Sequence, residues 1–205
     1  MGRRLRVIAL VGIDGSGKTT LAKDLTRWLD ANGIPARYSE NPGGRLKMDR
    51  MARRLGSRTA RELVGRHVFS VLEAVVRWLA IARGLLLARV RGRMAVMDRY
   101  SYDQFVMVRA REERGERWVR RFYSVFPEPQ ATFFIQVRPE TAKARIDARG
   151  YDTEPLPYLS ALDRAYRTLP EFRRFFVVDA DAPLDVVEQR MREAFGKALP
   201  DAFDP

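Results

Sequence analysis

Short apolar runs along the chain are separated by longer stretches in which apolar residues recur every three or four positions. A short apolar run bounded by glycine, proline or charged residues predicts a β-strand, and recurrence at three or four positions predicts a helix with one buried face. Strands are predicted at residues 7–11, 36–40, 94–98, 131–137 and 175–178, of which 36–40 is the least apolar.

Helices are predicted between these strands. The first begins at Lys18 and carries leucines at helical spacing, whereas Pro139 and Gly150 mark the two ends of a later one. Residues 45–66 have no clear pattern, although Gly56 and Gly65 suggest breaks. The other helices are predicted at 69–90, 104–111, 116–126, 140–149, 156–169 and 183–199.

Alternation of strands and helices predicts an α/β fold with a five-stranded, mostly parallel sheet. Parallel strands need crossover connections, and the helices in those connections cover both faces of the sheet. The chain has 205 residues, of which 46% are hydrophobic, and no repeats or linkers divide it. One domain over residues 1–205 is therefore expected.

A glycine-rich loop follows the first predicted strand. Residues 12–19 match the phosphate-binding pattern G-x-x-x-x-G-K-[ST] at every fixed position. Glycines let the backbone N–H groups close around phosphate oxygens, Lys18 would reach the β- and γ-phosphates, and the Thr19 hydroxyl would ligate Mg²⁺. The alternative is a chance glycine-rich turn, but the order strand, loop and helix favours a P-loop NTPase fold. The residues predicted to bind ATP are Gly12, Ile13, Asp14, Gly15, Ser16, Gly17, Lys18, Thr19 and Thr20.

The predicted strand at 94–98 ends in Asp98, and Arg99 follows it directly. A carboxylate at this position is typical of P-loop enzymes, where it approaches Mg²⁺ opposite the Ser/Thr of the loop. A guanidinium at the same strand end can hold phosphate oxygens bidentately. Asp98 and Arg99, like Lys18 of the loop, are therefore candidate catalytic residues, and Thr19 and Asp98 are candidate metal ligands. The alternative is a surface ion pair after a buried strand.

The helix at 140–149 carries two arginines, Arg145 and Arg149, four residues apart. Residues at this spacing share a helix face, and a polar segment follows. Phosphoryl transfer needs positive charge on the transferred group and a closing segment that excludes water. We therefore expect a basic lid over approximately residues 145–156, with both arginines catalytic; the alternative is an ordinary solvated face.

The formal net charge is +12, and nearly all of the positive charge comes from arginine. The arginines are dispersed without a basic tract or a nucleic-acid-binding motif, so nucleic acid is not expected as a partner.

The apolar stretch at 69–90 contains four charged residues, so no membrane span is expected. Without cysteines the chain excludes disulfides, and the cytoplasm is the expected location. No role is assigned to His67.

The phosphate loop, the Asp-Arg-Tyr motif and the helix with two arginines together resemble the thymidylate kinase family, within the nucleoside monophosphate kinases. The likeness spans nearly the whole chain and rests on five segments. In that family an aspartate of the phosphate loop lies near the acceptor nucleotide, and arginines of the long helix and of the Asp-Arg-Tyr motif contact the acceptor. The resemblance thus implies that Asp14, Arg77 and Arg99 bind the acceptor, and it implies a homodimer packed through the long apolar helices. The five segments are 12–20, 42–44, 98–100, 139–150 and 177–180.

Some positions depart from the pattern of the family. The usual Arg-Glu before Pro-Gly-Gly is Glu40-Asn41, and the phenylalanine expected to stack on thymine is Glu73. The serine and glutamine expected after Asp-Arg-Tyr are Asp103 and Val108. Either Glu73 pairs with an arginine while another aromatic residue such as Phe69 covers the base, or the pocket accepts a different base.

The resemblance implies an ATP- and Mg²⁺-dependent kinase that transfers the γ-phosphoryl group to a nucleoside monophosphate, with dTMP expected. Two alternatives remain from the residues alone. One is a kinase for another nucleotide or for a nucleoside. The other is a P-loop protein that binds a nucleotide without transferring a phosphoryl group.

Overall fold

The computed structural model describes residues 5–41, 56, 60–150 and 153–202. In these ranges five strands form one parallel sheet in the order β2-β3-β1-β4-β5. The predicted parallel sheet is confirmed, and it contains no antiparallel pair among the described strands. The strands are β1 Val7–Val11, β2 Ala36–Glu40, β3 Met94–Asp98, β4 Ala131–Gln136 and β5 Phe176–Asp179.

Helices connect the strands and cover both faces of the sheet. Short 3₁₀ helices at Pro170–Arg174 and Pro200–Ala202 precede β5 and follow the last helix. The helices are α1 Lys18–Ala31, α2 Ala60–Val64, α3 Arg66–Val90, α4 Ser101–Ala110, α5 Glu116–Tyr123, α6 Pro139–Arg149, α7 Leu156–Arg167 and α8 Leu184–Ala198.

Successive residues of β1 point to opposite faces of the sheet, and each face has its own core. Val7, Ala9 and Val11 pack on one side with α3, α4 and α7, whereas Ile8 and Leu10 pack on the other side with α1 and α8. All five residues of β1 are buried. A strand buried on both faces is apolar throughout, which is why the run at 7–11 was recognisable in the sequence.

The order of the strands brings two chemically important loops together. β1 lies beside β3, and Leu10 pairs with Asp98 across the ladder. Both strands run in the same direction, so the loop after β1 and the residues after β3 leave the sheet at the same edge. Ligands of open parallel sheets bind at this edge, beyond the carboxyl ends of the strands.

Several predicted boundaries were wrong. The helix predicted at 104–111 begins at Ser101, where the Asp103 carboxylate accepts a hydrogen bond from the backbone N–H of Tyr100 at 2.9 Å. The long helix begins at Arg66, preceded by α2 in the stretch that had no clear pattern. The helices predicted to end at 126 and 169 end at Tyr123 and Arg167. Most of the loop at 41–44 lies outside the described residues.

None of the helices in the described ranges is both long and apolar enough to span a membrane.

Candidate active site

The loop between β1 and α1 requires glycine at two positions. Gly12 has a φ of 146°, and a Cβ there would lie 2.7 Å from the carbonyl oxygen of Ile135. Gly15 has a φ of 82°, and a Cβ there would collide with the backbone of Ala142. Both a left-handed backbone and the absence of a side chain are therefore needed. The loop lies directly against β4 and α6, and α1 begins right after it.

Lys18 is buried inside this loop, with 3% of its surface exposed. Its ammonium donates hydrogen bonds to the carbonyl oxygens of Gly12 at 2.8 Å and Ile13 at 2.6 Å. Burial, followed by repulsion from Arg99, lowers the pKa of Lys18 to about 8. The positive charge is thus expensive to hold without a partner, and an anion that entered the loop would stabilise it.

Asp98 lies at the end of β3 and is fully buried. Its Oδ2 accepts hydrogen bonds from the Thr19 hydroxyl at 2.5 Å and from the Tyr38 hydroxyl at 3.2 Å. Its Oδ1 has no hydrogen-bond partner among the described residues. A buried carboxylate oxygen without a donor, next to a threonine hydroxyl, suits a hard cation with oxygen ligands.

The donor set fits Mg²⁺ rather than a metal held mainly by protein ligands. The described residues contain no group of three histidines, cysteines or carboxylates that would hold a metal by themselves. Mg²⁺ is usually bound through one or two protein groups, with water and substrate phosphates completing its coordination. Thr19 and Asp98 match that requirement.

Arg99 follows Asp98 in a left-handed conformation, with a φ of 72°. Its guanidinium forms a close ion pair with Asp14 of the phosphate loop, and it lies 3.9 Å from carboxylate oxygens of both Asp98 and Asp103. Burial opposes the charge on Asp14, but Arg99 and Lys18 outweigh it and hold the pKa of that carboxyl below its usual range. The surrounding carboxylates fix the position of Arg99 despite its strained backbone.

A pocket of about 450 Å³ opens beside the phosphate loop. Four helices contribute to its wall. In α3, α4 and α7 the lining residues recur four positions apart, because residues at this spacing share one helix face. The loop, Glu40 and the segment from α6 to α7 complete the lining. The helix residues that line it are Glu73, Val76, Arg77 and Ala80 of α3, Asp103, Val106, Met107 and the adjoining Arg111 of α4, Ile146 and Arg149 of α6, and Tyr158, Leu162 and Tyr166 of α7.

Glu73 is buried in this wall and is paired. Its two carboxylate oxygens lie 3.5 Å from Nη2 of Arg77 and 2.8 Å from Nη1 of Arg111. The remaining atoms of the Arg77 guanidinium, Nε and Nη1, are buried without a hydrogen-bond partner among the described residues. Buried donors of this kind are costly unless a ligand satisfies them.

The predicted site residues separate into two groups. Asp14, Lys18, Thr19, Thr20, Glu73, Arg77, Arg99 and Arg149 line the pocket together with the loop glycines. Arg145 does not line it, because its guanidinium donates to the carbonyl oxygen of Ala180 at 3.0 Å. Phe69 is buried and also lies outside the lining, as do the buried residues Ile13, Ser16 and Asp98. The predicted lid corresponds to the end of α6 and the connection to α7, of which residues 151 and 152 are not described.

Polar residues of the site that had no role assigned from the sequence include Tyr38, Asp103, Arg111, Tyr158 and Tyr166. The Tyr166 hydroxyl donates to Asp103 at 2.8 Å and lies 3.4 Å from the carbonyl oxygen of Gly12. Burial raises the pKa values of both Tyr166 and Asp103. The spacing of 103, 107 and 111 was a usable signal for one wall of the pocket, but nothing local marked the tyrosines of α7.

Comparison with known proteins agrees with this geometry. The model of the thymidylate kinase family matches residues 10–191. A protein of Archaeoglobus fulgidus described as a probable thymidylate kinase is 28% identical, and the match covers 94% of this chain and 96% of that protein. A thymidylate kinase of Xanthomonas oryzae pv. oryzae is 29% identical, with 95% and 85% covered. A probable thymidylate kinase of Pyrococcus abyssi is 29% identical, with 89% and 91% covered.

Proposed function

Since the chain belongs to the thymidylate kinase family, we infer that the protein transfers the γ-phosphoryl group of ATP to dTMP and forms dTDP. The observation that carries this function is the arrangement of cations around one pocket. Lys18 and Arg99 lie at the phosphate loop, and Arg77 presents two unsatisfied donors on the facing wall. Two phosphorylated substrates would bring phosphate oxygens to these cations, and they would satisfy the buried donors of Arg77.

On the donor side, we propose that the phosphate loop holds the β- and γ-phosphates of ATP. Lys18 would exchange the carbonyl oxygens of Gly12 and Ile13 for phosphate oxygens, which offer full negative charge in place of a dipole. The N-terminus of α1 adds its positive dipole end at the same point. These groups stabilise the charge of the transferring phosphoryl group without covalent chemistry by the protein.

We propose that Thr19 and Asp98 hold Mg²⁺ when ATP is bound. The ion would neutralise phosphate charge at the loop. The unsatisfied Oδ1 of Asp98 supports this assignment. The Tyr38 hydroxyl, which donates to Oδ2, orients the carboxylate.

On the acceptor side, we propose that Arg99 and Arg77 hold dTMP, with its phosphate at Arg99. The phosphate of dTMP is already anionic, so its oxygen can attack without a strong base. Asp14 pairs with Arg99, and the acceptor phosphate would compete for the same guanidinium. Arg149 lines the pocket from the end of α6, where it can approach the transferring group from the side of the proposed lid.

A kinase for a different nucleoside monophosphate is the second candidate. It is favoured by the polar wall at Glu73 and by the position of Phe69, which lies outside the pocket lining. Glu73 pairs with Arg111 and Arg77, but no aromatic residue of α3 lines the pocket in the described ranges; its aromatic lining residues, Tyr158 and Tyr166, belong to α7.

A panel of acceptors separates these candidates. ADP release would be measured with ATP and Mg²⁺ and with dTMP, dUMP, dCMP, dGMP, dAMP or thymidine. We expect the highest kcat/KM with dTMP and no release with thymidine, which lacks the phosphate that Arg99 would bind. Turnover of another monophosphate without turnover of dTMP would overturn the assignment to dTMP, and no acceptor-dependent release at all would contradict the kinase.

We also propose that the enzyme is a homodimer in the cytoplasm, where ATP is available. An apolar stripe on α3 supports the dimer: Leu72, Val75 and Leu79 are each between 38% and 56% exposed. Contiguous apolar surface of this kind is typical of an interface between proteins.

A further inference from the structure

Each nitrogen of the Arg99 guanidinium faces a different carboxylate. Nη2 forms the close ion pair with Asp14, whose side chain is 41% exposed. Nη1 lies 3.9 Å from an oxygen of Asp98, and Nε lies 3.9 Å from an oxygen of Asp103. The side chain of Asp98 is fully buried, and that of Asp103 is 6% exposed. Arg99 is therefore held from three sides, and only the side of Asp14 is open to solvent.

Two of these three carboxylates have another task in the proposed function. The acceptor phosphate would compete with Asp14 for Arg99, and Asp98 would share its charge with a metal ion. No such task is assigned to Asp103. With both substrates bound, Asp103 would thus be the one carboxylate of the three that still serves Arg99 alone.

Asp103 is itself fixed by groups that a nucleotide would not displace. Its Oδ2 accepts a hydrogen bond from the backbone N–H of Tyr100 at 2.9 Å. Its Oδ1, the oxygen that faces Nε of Arg99, accepts one from the hydroxyl of Tyr166 at 2.8 Å. Tyr166 is 2% exposed and belongs to α7. A carboxylate held from two elements is a rigid support for the side chain that it contacts.

The charge of Asp103 depends on Arg99, and the dependence is mutual. Burial raises the pKa of Asp103, and Arg99 is the strongest of the charges that oppose this rise. Asp103 in turn favours the charged form of Arg99, together with Asp14 and Asp98. A buried carboxylate is costly unless it is paired, so its presence here indicates that the pairing is used. The family pattern has serine at this position, which would bring no charge.

We propose that Asp103 is a positioning residue, which holds the Nε side of Arg99 so that the Nη atoms stay directed at the acceptor phosphate after that phosphate has replaced Asp14. This inference rests on the proposed kinase function. Asp103 acts through Arg99 and therefore affects the binding of the phosphate, not the binding of the nucleoside. Tyr166 supports the same contact by fixing the carboxylate.

The test compares the affinities for dTMP and for thymidine in the variant Asp103→Asn. The ratio of the two dissociation constants measures what the phosphate contributes, because thymidine differs from dTMP only by that group. Both constants would be measured by calorimetry, with Mg²⁺ and a non-hydrolysable analogue of ATP present. We expect the contribution of the phosphate to fall about tenfold, while the affinities for thymidine and for the ATP analogue stay native. The amide of asparagine would present a neutral group to Arg99 in place of a charge.

The matched control is Asp163→Asn, the same substitution on α7. Asp163 pairs with Arg167 on the surface and does not line the pocket. It should leave the ratio unchanged. If Asp103→Asn does not fold, as judged by urea unfolding, Asp103→Ser replaces it, since serine is also neutral and can accept a hydrogen bond. A parallel loss of affinity for dTMP and thymidine would show a structural role and would overturn the proposal.

The two levels of inference fail in different ways. If the native enzyme does not phosphorylate dTMP, the proposed function falls, and the role of Asp103 falls with it. If the native enzyme phosphorylates dTMP and the folded variant retains the native ratio of affinities, the kinase stands and only the role of Asp103 is overturned.

Discussion

Lys18 shows how the protonation of a single loop residue depends on its surroundings. Its ammonium is buried among backbone carbonyls, and its pKa falls to about 8. Phosphate oxygens favour the charged form, so the binding of ATP should raise the pKa of Lys18 again. Binding and protonation are therefore linked at this residue.

We expect ATP to bind with uptake of a proton above pH 8. Raising the pH through about 8 deprotonates Lys18 in the free protein but not in the complex, so affinity should fall with pH and approach a tenfold loss per pH unit. Calorimetry at pH 8.5 in buffers of different ionisation enthalpy measures this uptake.

The variant Lys18→Arg serves as the control, because arginine stays charged throughout this range. It should bind ATP without uptake of a proton. Uptake that persists in Lys18→Arg would mean that another group titrates, and an affinity independent of pH in the native protein would contradict the linkage.

At the scale of elements, helix α6 places two similar arginines in different surroundings. Arg149 lines the pocket, whereas Arg145, one turn earlier, donates to the carbonyl oxygen of Ala180 just after β5. Spacing alone predicted that both would share one face and one role. The tertiary partner of Arg145 was beyond the reach of spacing, because Ala180 lies thirty-five positions away in the sequence.

We expect Arg149→Glu to lower kcat at least tenfold with little change in the KM for ATP, because the proposed contact strengthens in the transition state. Arg145→Glu should instead lower the midpoint of urea unfolding, because it removes a contact between α6 and the end of β5. Steady-state kinetics and urea unfolding of both variants test this division. Equal losses of kcat in the two variants would contradict this division and would mean that both arginines act in the lid, as their spacing predicted.

Other elements were predictable to different degrees. β1 is apolar throughout and β3 is apolar up to Asp98; both were predicted to the residue, because burial on both faces leaves a continuous apolar run. The start of α4 was missed, because its capping hydrogen bond comes from Asp103 in the first turn and tyrosine is not a usual N-cap residue. The phosphate loop is contiguous in sequence and was recognised at once. The far wall of the pocket was not, because Glu73, Arg111 and Tyr158 come from three helices.

In the whole molecule, packing between the sheet and its covering helices buries most of the apolar side chains, but the apolar stripe on α3 stays exposed. Leu79 is 56% exposed there, and Leu86, two turns further along the same helix, is 61% exposed. A partner copy packed on α3 would remove this area from water, at roughly 25 cal/mol per Å².

We expect the native protein to be a dimer and Leu79→Glu to shift it towards the monomer, because a carboxylate in an apolar interface is costly to desolvate. Light scattering coupled to gel filtration measures the mass. Leu184→Glu is the control, since Leu184 is 53% exposed at the start of α8, on the other face of the sheet. A native monomer, or equal effects of the two substitutions, would contradict an interface on α3.

The order of the strands has a consequence for the synthesis of the chain. β1 is made first, yet it lies in the middle of the sheet, and its neighbours are β3, which pairs Ala95 with Val7, and β4, which pairs Ala131 with Ile8. The apolar β1 therefore leaves the ribosome long before either neighbour exists. Such a segment is exposed to wrong pairing while it waits. The same strand that ends in the phosphate loop is thus the one that a nascent chain must shield for longest.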